Sequence, residues 1–250
     1  MKKIGLAQMN LEYGNFQRNV NTAEMMIHSA VQAKCDLILF PELWSSGFDL
    51  KNSAAYIIQN RSILAHFQEI SENASIAIGG SFIEEINGGY FNSFNLIQPN
   101  QPRVTYQKSH LFSMMREDQF LCEGRNTVVT NSPLGLAGLA VCFDLRFPEF
   151  FVEMTSNGAE IFLLCAHWPL TRIHHWDILL QARAIENQAF MIAVNSVGES
   201  GKDVYGGSSM VIAPDGETIF KAPDNEENLF TVEIDPSMVR SVREKFVFRK

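Results

Sequence analysis

Three residues of this 250-residue chain pair a reactive side chain with a position where a buried strand should end. Cys142 closes the apolar run 134–141, after which the sequence turns polar at Phe143-Asp144-Leu145-Arg146-Phe147-Pro148-Glu149. Glu42 follows Leu37-Ile38-Leu39-Phe40-Pro41, and Pro41 stops the strand ladder there by removing a donor. Lys108 follows Val104-Thr105-Tyr106-Gln107 and precedes Ser109-His110. A thiol, a carboxylate and an ammonium at three strand ends can meet at one edge of a sheet. Their shared chemistry is nucleophilic: a base takes the thiol proton and the sulfur attacks an acyl carbon. The lysine, with a backbone N–H such as that of Phe143, would hold the oxyanion that forms. Each residue also has an ordinary reading. A buried cysteine is usually a small hydrophobe, as Cys165 is within Ile161-Phe162-Leu163-Leu164. A glutamate after proline commonly caps or faces water, and a lysine in a polar stretch decorates a surface.

The elements that must position these residues are strands alternating with helices. Short apolar, β-rich runs cover 1–8, 36–40, 76–82, 160–164, 189–194, 209–213 and 230–234. Val20, Ala23, Met26, Ile27, Ala30 and Val31 recur at helical spacing, and 60–73 and 172–187 carry further helical signals. Pro148 predicts the first turn of a helix containing Phe150, Phe151 and Met154. Strands buried on both faces and separated by helices imply layers with the helices outside. Later strands follow through Gly-rich turns such as Pro214-Asp215-Gly216, so the sheets should be mixed. Two face-to-face sheets or one large sheet both satisfy the pattern.

Composition narrows the function. Hydrophobic residues make up 46% of the chain and charged ones 19%, with a formal net charge of −8 and no basic cluster. Nucleic acids and anionic membranes therefore find no counter-surface. No stretch approaches the roughly 20 apolar residues of a membrane span, and residues 1–8 read as a strand rather than a signal peptide. Four widely spaced cysteines argue against a disulfide framework and for a cytoplasmic setting. The six histidines show no zinc spacing, so no metal is expected.

The wording around the three residues resembles the carbon–nitrogen hydrolase (nitrilase) superfamily. The matching stretches are Phe40-Pro41-Glu42-Leu43, then 106–112 around Lys108 and 141–149 around Cys142, in the family's order. Residues 180–188, 195–198 and 207–216 match further blocks, so the resemblance runs over nearly the whole chain, 1–250, as a single domain. It implies an α/β four-layer αββα sandwich of two mixed sheets with helices on both outer faces. It also implies a Glu42–Lys108–Cys142 triad, no cofactor and a homodimer. A second glutamate is common in the family; Glu117 matches it, with Asp118 as rival. His167-Trp168-Pro169, His175-Trp176 and Met115-Arg116-Glu117 look closest to bacterial omega-amidase-like enzymes. The expected substrates are then water and a small amide such as 2-oxoglutaramate. A nitrilase or N-carbamoyl hydrolase would use the same triad, and a catalytically idle scaffold member is the remaining alternative.

Other residues have competing roles. Arg146 should pair with Glu149, with substrate contact as the second reading, and Arg183 with Glu186. Any of Arg146, Arg172 or Arg183 could receive a substrate carboxylate. Trp168 and Trp176 could wall a pocket or pack in a core. His110 reads as a hydrogen-bonded structural residue. In the tail, about 236–250, Phe246 and Phe248 would be odd in a monomer, which predicts a symmetric dimer burying them.

Overall fold

The computed structural model of the chain describes residues 1–200 and 203–248. Arg249 and Lys250, the end of the tail assigned to a subunit interface, lie outside the described residues. The first half runs β1 (Lys2–Gln8), α1 (Phe16–Gln32), β2 (Leu37–Leu39), α2 (Ser53–Ala74), β3 (Ala77–Ile86), β4 (Gly89–Ile97) and β5 (Val104–Gln107). The second opens with β6 (Val129–Ser132), β7 (Gly135–Val141), α3 (Pro148–Ser156), β8 (Ile161–Ala166), α4 (Ile173–Asn187) and β9 (Phe190–Asn195). It continues through β10 (Val197–Ser200), β11 (Asp203–Gly206), β12 (Met210–Ile212), β13 (Thr218–Lys221), β14 (Asn228–Ile234) and α5 (Met238–Lys245).

Two six-stranded sheets result, in the orders β14-β1-β2-β3-β4-β5 and β13-β12-β9-β8-β7-β6, with β10 and β11 forming a separate hairpin. Each sheet has a parallel centre, β1-β2-β3 or β7-β8-β9, and antiparallel edges. Parallel neighbours need a crossover. Helices α1 and α2 supply it in the first sheet, α3 and α4 in the second, so both sheets centre on a βαβαβ unit.

Side-chain alternation shows why the sheets stack. Ile4, Leu6, Leu37 and Leu39 join the cluster that contains Leu139, Leu163 and Ile192 of the other sheet. Their neighbours Ala7, Ile38 and Phe40 turn the opposite way, onto Val20, Ala23, Met26, Ile27, Leu64 and Phe67 of α1 and α2. Successive side chains of a strand point to opposite faces, so each central strand feeds two interfaces. On the other side Phe151 of α3 meets Phe162 of β8 edge-to-face at 5.0 Å. The layers are therefore α, β, β, α, as expected, and periodicity alone had left a single large sheet open. Helix α1 begins at Asn15, whose side chain accepts from Arg18 N, and buries the Val20, Ala23, Met26, Ile27 and Ala30 face. Helix α2 starts earlier than its sequence signal, directly after the short helical turn Leu50–Asn52. Among the described residues no helix is long and apolar enough to cross a membrane.

Candidate active site

Strand β7 ends at Val141, and the next residue, Cys142, has φ of 45°. This left-handed conformation costs a non-glycine residue about 1–3 kcal/mol and persists only where its surroundings impose it. Asp144 imposes it here. Its Oδ2 accepts from Val141 N at 2.9 Å and Tyr106 OH at 2.8 Å. Its Oδ1 accepts from His110 N at 3.1 Å and lies 2.7 Å from His110 Nδ1. The 3₁₀ turn Cys142–Arg146 then leads to α3 with Pro148 in its first turn. Phe143 N stands at the start of that turn, where amides have no intrahelical acceptor. Arg183 Nε donates to Leu145 O at 3.1 Å and braces the turn from α4.

Lys108 leaves β5 with its N–H on Asn92 O, and its own carbonyl accepts from Gly124 N, both at 2.8 Å. The chain can pass this closely because position 124 is glycine; a Cβ there would overlap the Gln107 carbonyl. The Lys108 ammonium is buried between two carboxylates, 2.7 Å from Glu42 Oε1 and 2.7 and 2.9 Å from the oxygens of Glu117. Asn92 Nδ2 bridges the same two glutamates, at 2.8 and 3.0 Å. His167 N donates to Glu42 Oε2 at 3.1 Å, and Phe112 N to Glu117 Oε2 at 2.8 Å. The Cys142 thiol lies near enough to Glu42 for the carboxyl group to act on its proton affinity. Glu42, Lys108, Cys142 and Glu117 thus occupy one buried cluster, while Asp118 is exposed.

Burial without water sets the proton affinities. It pushes the Cys142 thiol well up, and the negative Glu42 beside it adds to the rise. Burial also raises Glu42, against the pull of Lys108. For Lys108 burial acts downward, but Glu117 and Glu42 overcome it and hold the ammonium well above its usual value. Burial therefore keeps the thiol protonated beside Glu42, with a permanent cation alongside.

A narrow pocket opens on Cys142, and Arg146, Arg172 and Trp168 line it. Arg146 lies over the Trp168 ring at 4.9 Å, and Arg172 over Phe112 at 5.2 Å. The pairing expected between Arg146 and Glu149 is not formed. Glu149 is exposed on α3, and Arg146 turns to His175 Nδ1 at 3.2 Å. Burial and the charge of Arg172 both lower its proton affinity. Arg183 is committed elsewhere, to Leu145 O and to Glu186 at 2.9 Å. Trp176 is a core residue donating to Ser208 O, whereas Trp168 meets the pocket. Asn92 was not singled out from sequence, and Asp144 and His167 entered only within matching stretches, with no role of their own. Only the β3–β4 pairing and the strand-end turns bring them to the cluster. Among the described residues no group of His, Cys, Asp and Glu is arranged to hold a metal ion.

Residues 3–244 match the family model described as carbon-nitrogen hydrolase. The chain belongs to the carbon–nitrogen hydrolase family. It is 31% identical to a 2-oxoglutaramate amidase of Bacillus subtilis, over 96% of this chain and 93% of that protein. It is 33% identical to a deaminated glutathione amidase of Dictyostelium discoideum, over 98% and 91%. Among solved structures it resembles a CN-hydrolase superfamily protein of Xanthomonas campestris that carries an arsenic adduct in its active site. That match has a TM-score of 0.90 and 26% identity, covering 98% of this chain and 95% of the other. Family membership makes the chain a hydrolase of carbon–nitrogen bonds.

Proposed function

We propose that the protein is a cysteine-dependent amidase that hydrolyses the ω-amide of a small dicarboxylate, such as 2-oxoglutaramate, to the acid and ammonia. The observation that carries this reading is the pair of guanidinium groups, Arg146 and Arg172, on the wall of the narrow pocket at Cys142. A carboxylate at the far end of a short amide would meet two cations while its amide carbon reached the sulfur. The naming of relatives as 2-oxoglutaramate amidase and the small pocket agree with it.

In this mechanism Glu42 takes the Cys142 proton as the sulfur attacks the amide carbon. A preformed thiolate is disfavoured by burial, so the base must act during attack, and the raised Glu42 suits that task. The tetrahedral oxyanion is held by the Lys108 ammonium and Phe143 N–H. Protonated Glu42 then returns its proton to the departing ammonia, leaving a thioester on Cys142. Water enters, Glu42 or Glu117 removes its proton, and the acid is released with the thiol restored. No cofactor takes part.

The protein is read as one catalytic domain of the cytoplasm, a setting in keeping with four free cysteines. A homodimer is part of the same proposal. Arg243 pins α5 to Ala159 O and Gln188 O, and Gln188 Nε2 holds Phe246 O. The anchored tail still exposes Phe246, Val247 and Phe248. A second copy would cover this apolar surface, and a concentration-independent monomer in light scattering would refute it.

The deciding experiment measures ammonia release from 2-oxoglutaramate, succinamate, simple aliphatic amides, an N-carbamoyl amino acid and an aliphatic nitrile. Turnover of the dicarboxylate monoamides that disappears in Cys142→Ala is expected. Turnover confined to the nitrile or carbamoyl compound would overturn the amidase assignment.

A further inference from the structure

His167 follows β8, the middle parallel strand of its sheet, just as Glu42 follows β2, and its imidazole is only 1% exposed. The ring lies between Phe48, at 5.3 Å, and Tyr205, at 3.4 Å, nearly parallel to both. Nδ1 lies 2.5 Å from Ser196 Oγ. Nε2 is buried with no hydrogen-bond partner, although the residue lines the pocket that holds Cys142, Arg146 and Arg172. Buried polar atoms are normally satisfied, so an orphan on a residue that lines a substrate pocket marks a place for a ligand atom.

The tautomer follows from counting protons. If the Ser196 hydroxyl donates to Nδ1, only the Nε2–H is left unpaired. The reverse arrangement strands both the hydroxyl proton and the Nε2 lone pair. Burial holds the ring neutral, its pKa pushed down to about 3. The site therefore presents a fixed, uncharged N–H donor beside two cations.

We propose that His167 is a specificity residue whose Nε2–H positions a carbonyl oxygen on the acyl chain of the substrate, the 2-oxo group of a 2-oxo ω-amide. The assignment rests on the ω-amidase reading above. It divides the labour in the pocket by charge: the guanidinium groups take the terminal carboxylate, and the neutral donor takes a neutral acceptor. A substrate lacking that oxygen leaves the N–H unpaired once water is excluded, which is how hydrogen-bonding sites reject analogues missing a polar group.

The test compares kcat/KM for 2-oxoglutaramate and for glutaramate, which has a CH₂ in place of the keto group. Wild type, His167→Asn and His167→Phe are compared, with Cys142 alkylation by iodoacetamide as a check on the thiol. Wild type should prefer the keto substrate by about tenfold or more, the worth of one good hydrogen bond. His167→Phe should abolish that preference through KM, bringing the ratio of kcat/KM for the two amides to about one, and the amide of His167→Asn should restore part of it. Equal losses on both substrates, or an undiminished preference in His167→Phe, would overturn the proposal. So would a wild type that turns over both amides equally. A wild type inactive on both would instead break the ω-amidase reading and this one with it. Independently of any variant, 2-oxoglutarate should inhibit the wild type about tenfold better than glutarate; equal inhibition would overturn the assignment.

Discussion

Asp144 and Glu42 are both fully buried carboxylates beside the end of a strand, and their partners divide them. Asp144 has each oxygen saturated by groups that hold backbone: two amides, the Tyr106 hydroxyl and the His110 ring. Nothing in that set needs to move, and its effect is to fix the turn that puts Cys142 in a left-handed conformation. Glu42 shares its ammonium with Glu117 and sits beside a thiol whose proton is held by burial. That set contains a transferable proton and two carboxyl groups around one lysine. Burial of charge serves architecture where backbone donors saturate it, and chemistry where a titrating group completes it.

The widest separation between the two should appear in Glu42→Gln. Turnover of the amide should fall by about 10³, in the range that general bases supply, while thermal stability changes by less than about 1 kcal/mol. The swap keeps the side chain's shape and lightens a crowded negative cluster. In the wild type the acid limb of kcat/KM should lie above the usual carboxylate value of about 4.3, because burial raises Glu42 and protonation removes the base. A normal thioester burst in Glu42→Gln would move the base elsewhere. Lys108→Ala is less clean, since it leaves two buried carboxylates without their cation and should destabilise as well as slow the enzyme.

Asp144→Ala should show the reverse emphasis. It strands Val141 N–H, His110 N–H and Tyr106 OH, each costing about 1–3 kcal/mol when buried without an acceptor. A loss of about 3 kcal/mol, or roughly 6–12 °C in Tm for a chain of this length, is expected by calorimetry. Unchanged stability would mean that the turn is held by packing rather than by this carboxylate.

How legible these two sets were in the sequence differs for a physical reason. Cys142, Glu42 and Lys108 stand at the ends of apolar or β-rich runs, so periodicity locates them and the surrounding wording adds the resemblance. Glu117 lies in the loosely patterned stretch 113–120 and emerges only through that resemblance. Asn92 was invisible: β4 buries Asn92, Ser93 and Asn95, so its alternation of apolar and polar residues fails as a signal. Polar burial of this kind depends on which strand pairs with which. The short strands β6, β10, β11 and β13 were missed for the complementary reason, since partly exposed runs of four residues carry too little pattern. Arg146 was assigned to Glu149 because both flank one turn. The choice between a local ion pair and a pocket is made by the rings that stack around it, Trp168 above all.

A smaller effect tests the pocket against both carboxylate sets. Arg172→Gln removes one guanidinium without touching the Glu42 cluster or the Asp144 turn. KM for a dicarboxylate monoamide should rise about tenfold, with kcat unchanged and simple aliphatic amides unaffected, as expected for a loss of uniform binding. An equal loss on simple amides would place Arg172 in the catalytic geometry instead.

The smallest effect is expected from Tyr106→Phe, and it asks most directly whether architecture and chemistry are separable here. The hydroxyl donates to Asp144 Oδ2 and accepts from Ser109 N at 2.9 Å. Burial, with Asp144 adding to it, raises the tyrosine well above its usual value, so it remains a donor at any working pH. Removing it leaves Asp144 with its backbone and histidine donors and costs about 1 kcal/mol, or roughly 2–4 °C in Tm. With Val141 N–H still bound, Cys142 should keep its conformation and kcat should stay within about twofold of wild type. A fall in kcat comparable to that of Glu42→Gln would show that the Asp144 set reaches the proton transfer itself, and the division drawn between the two carboxylates would not stand.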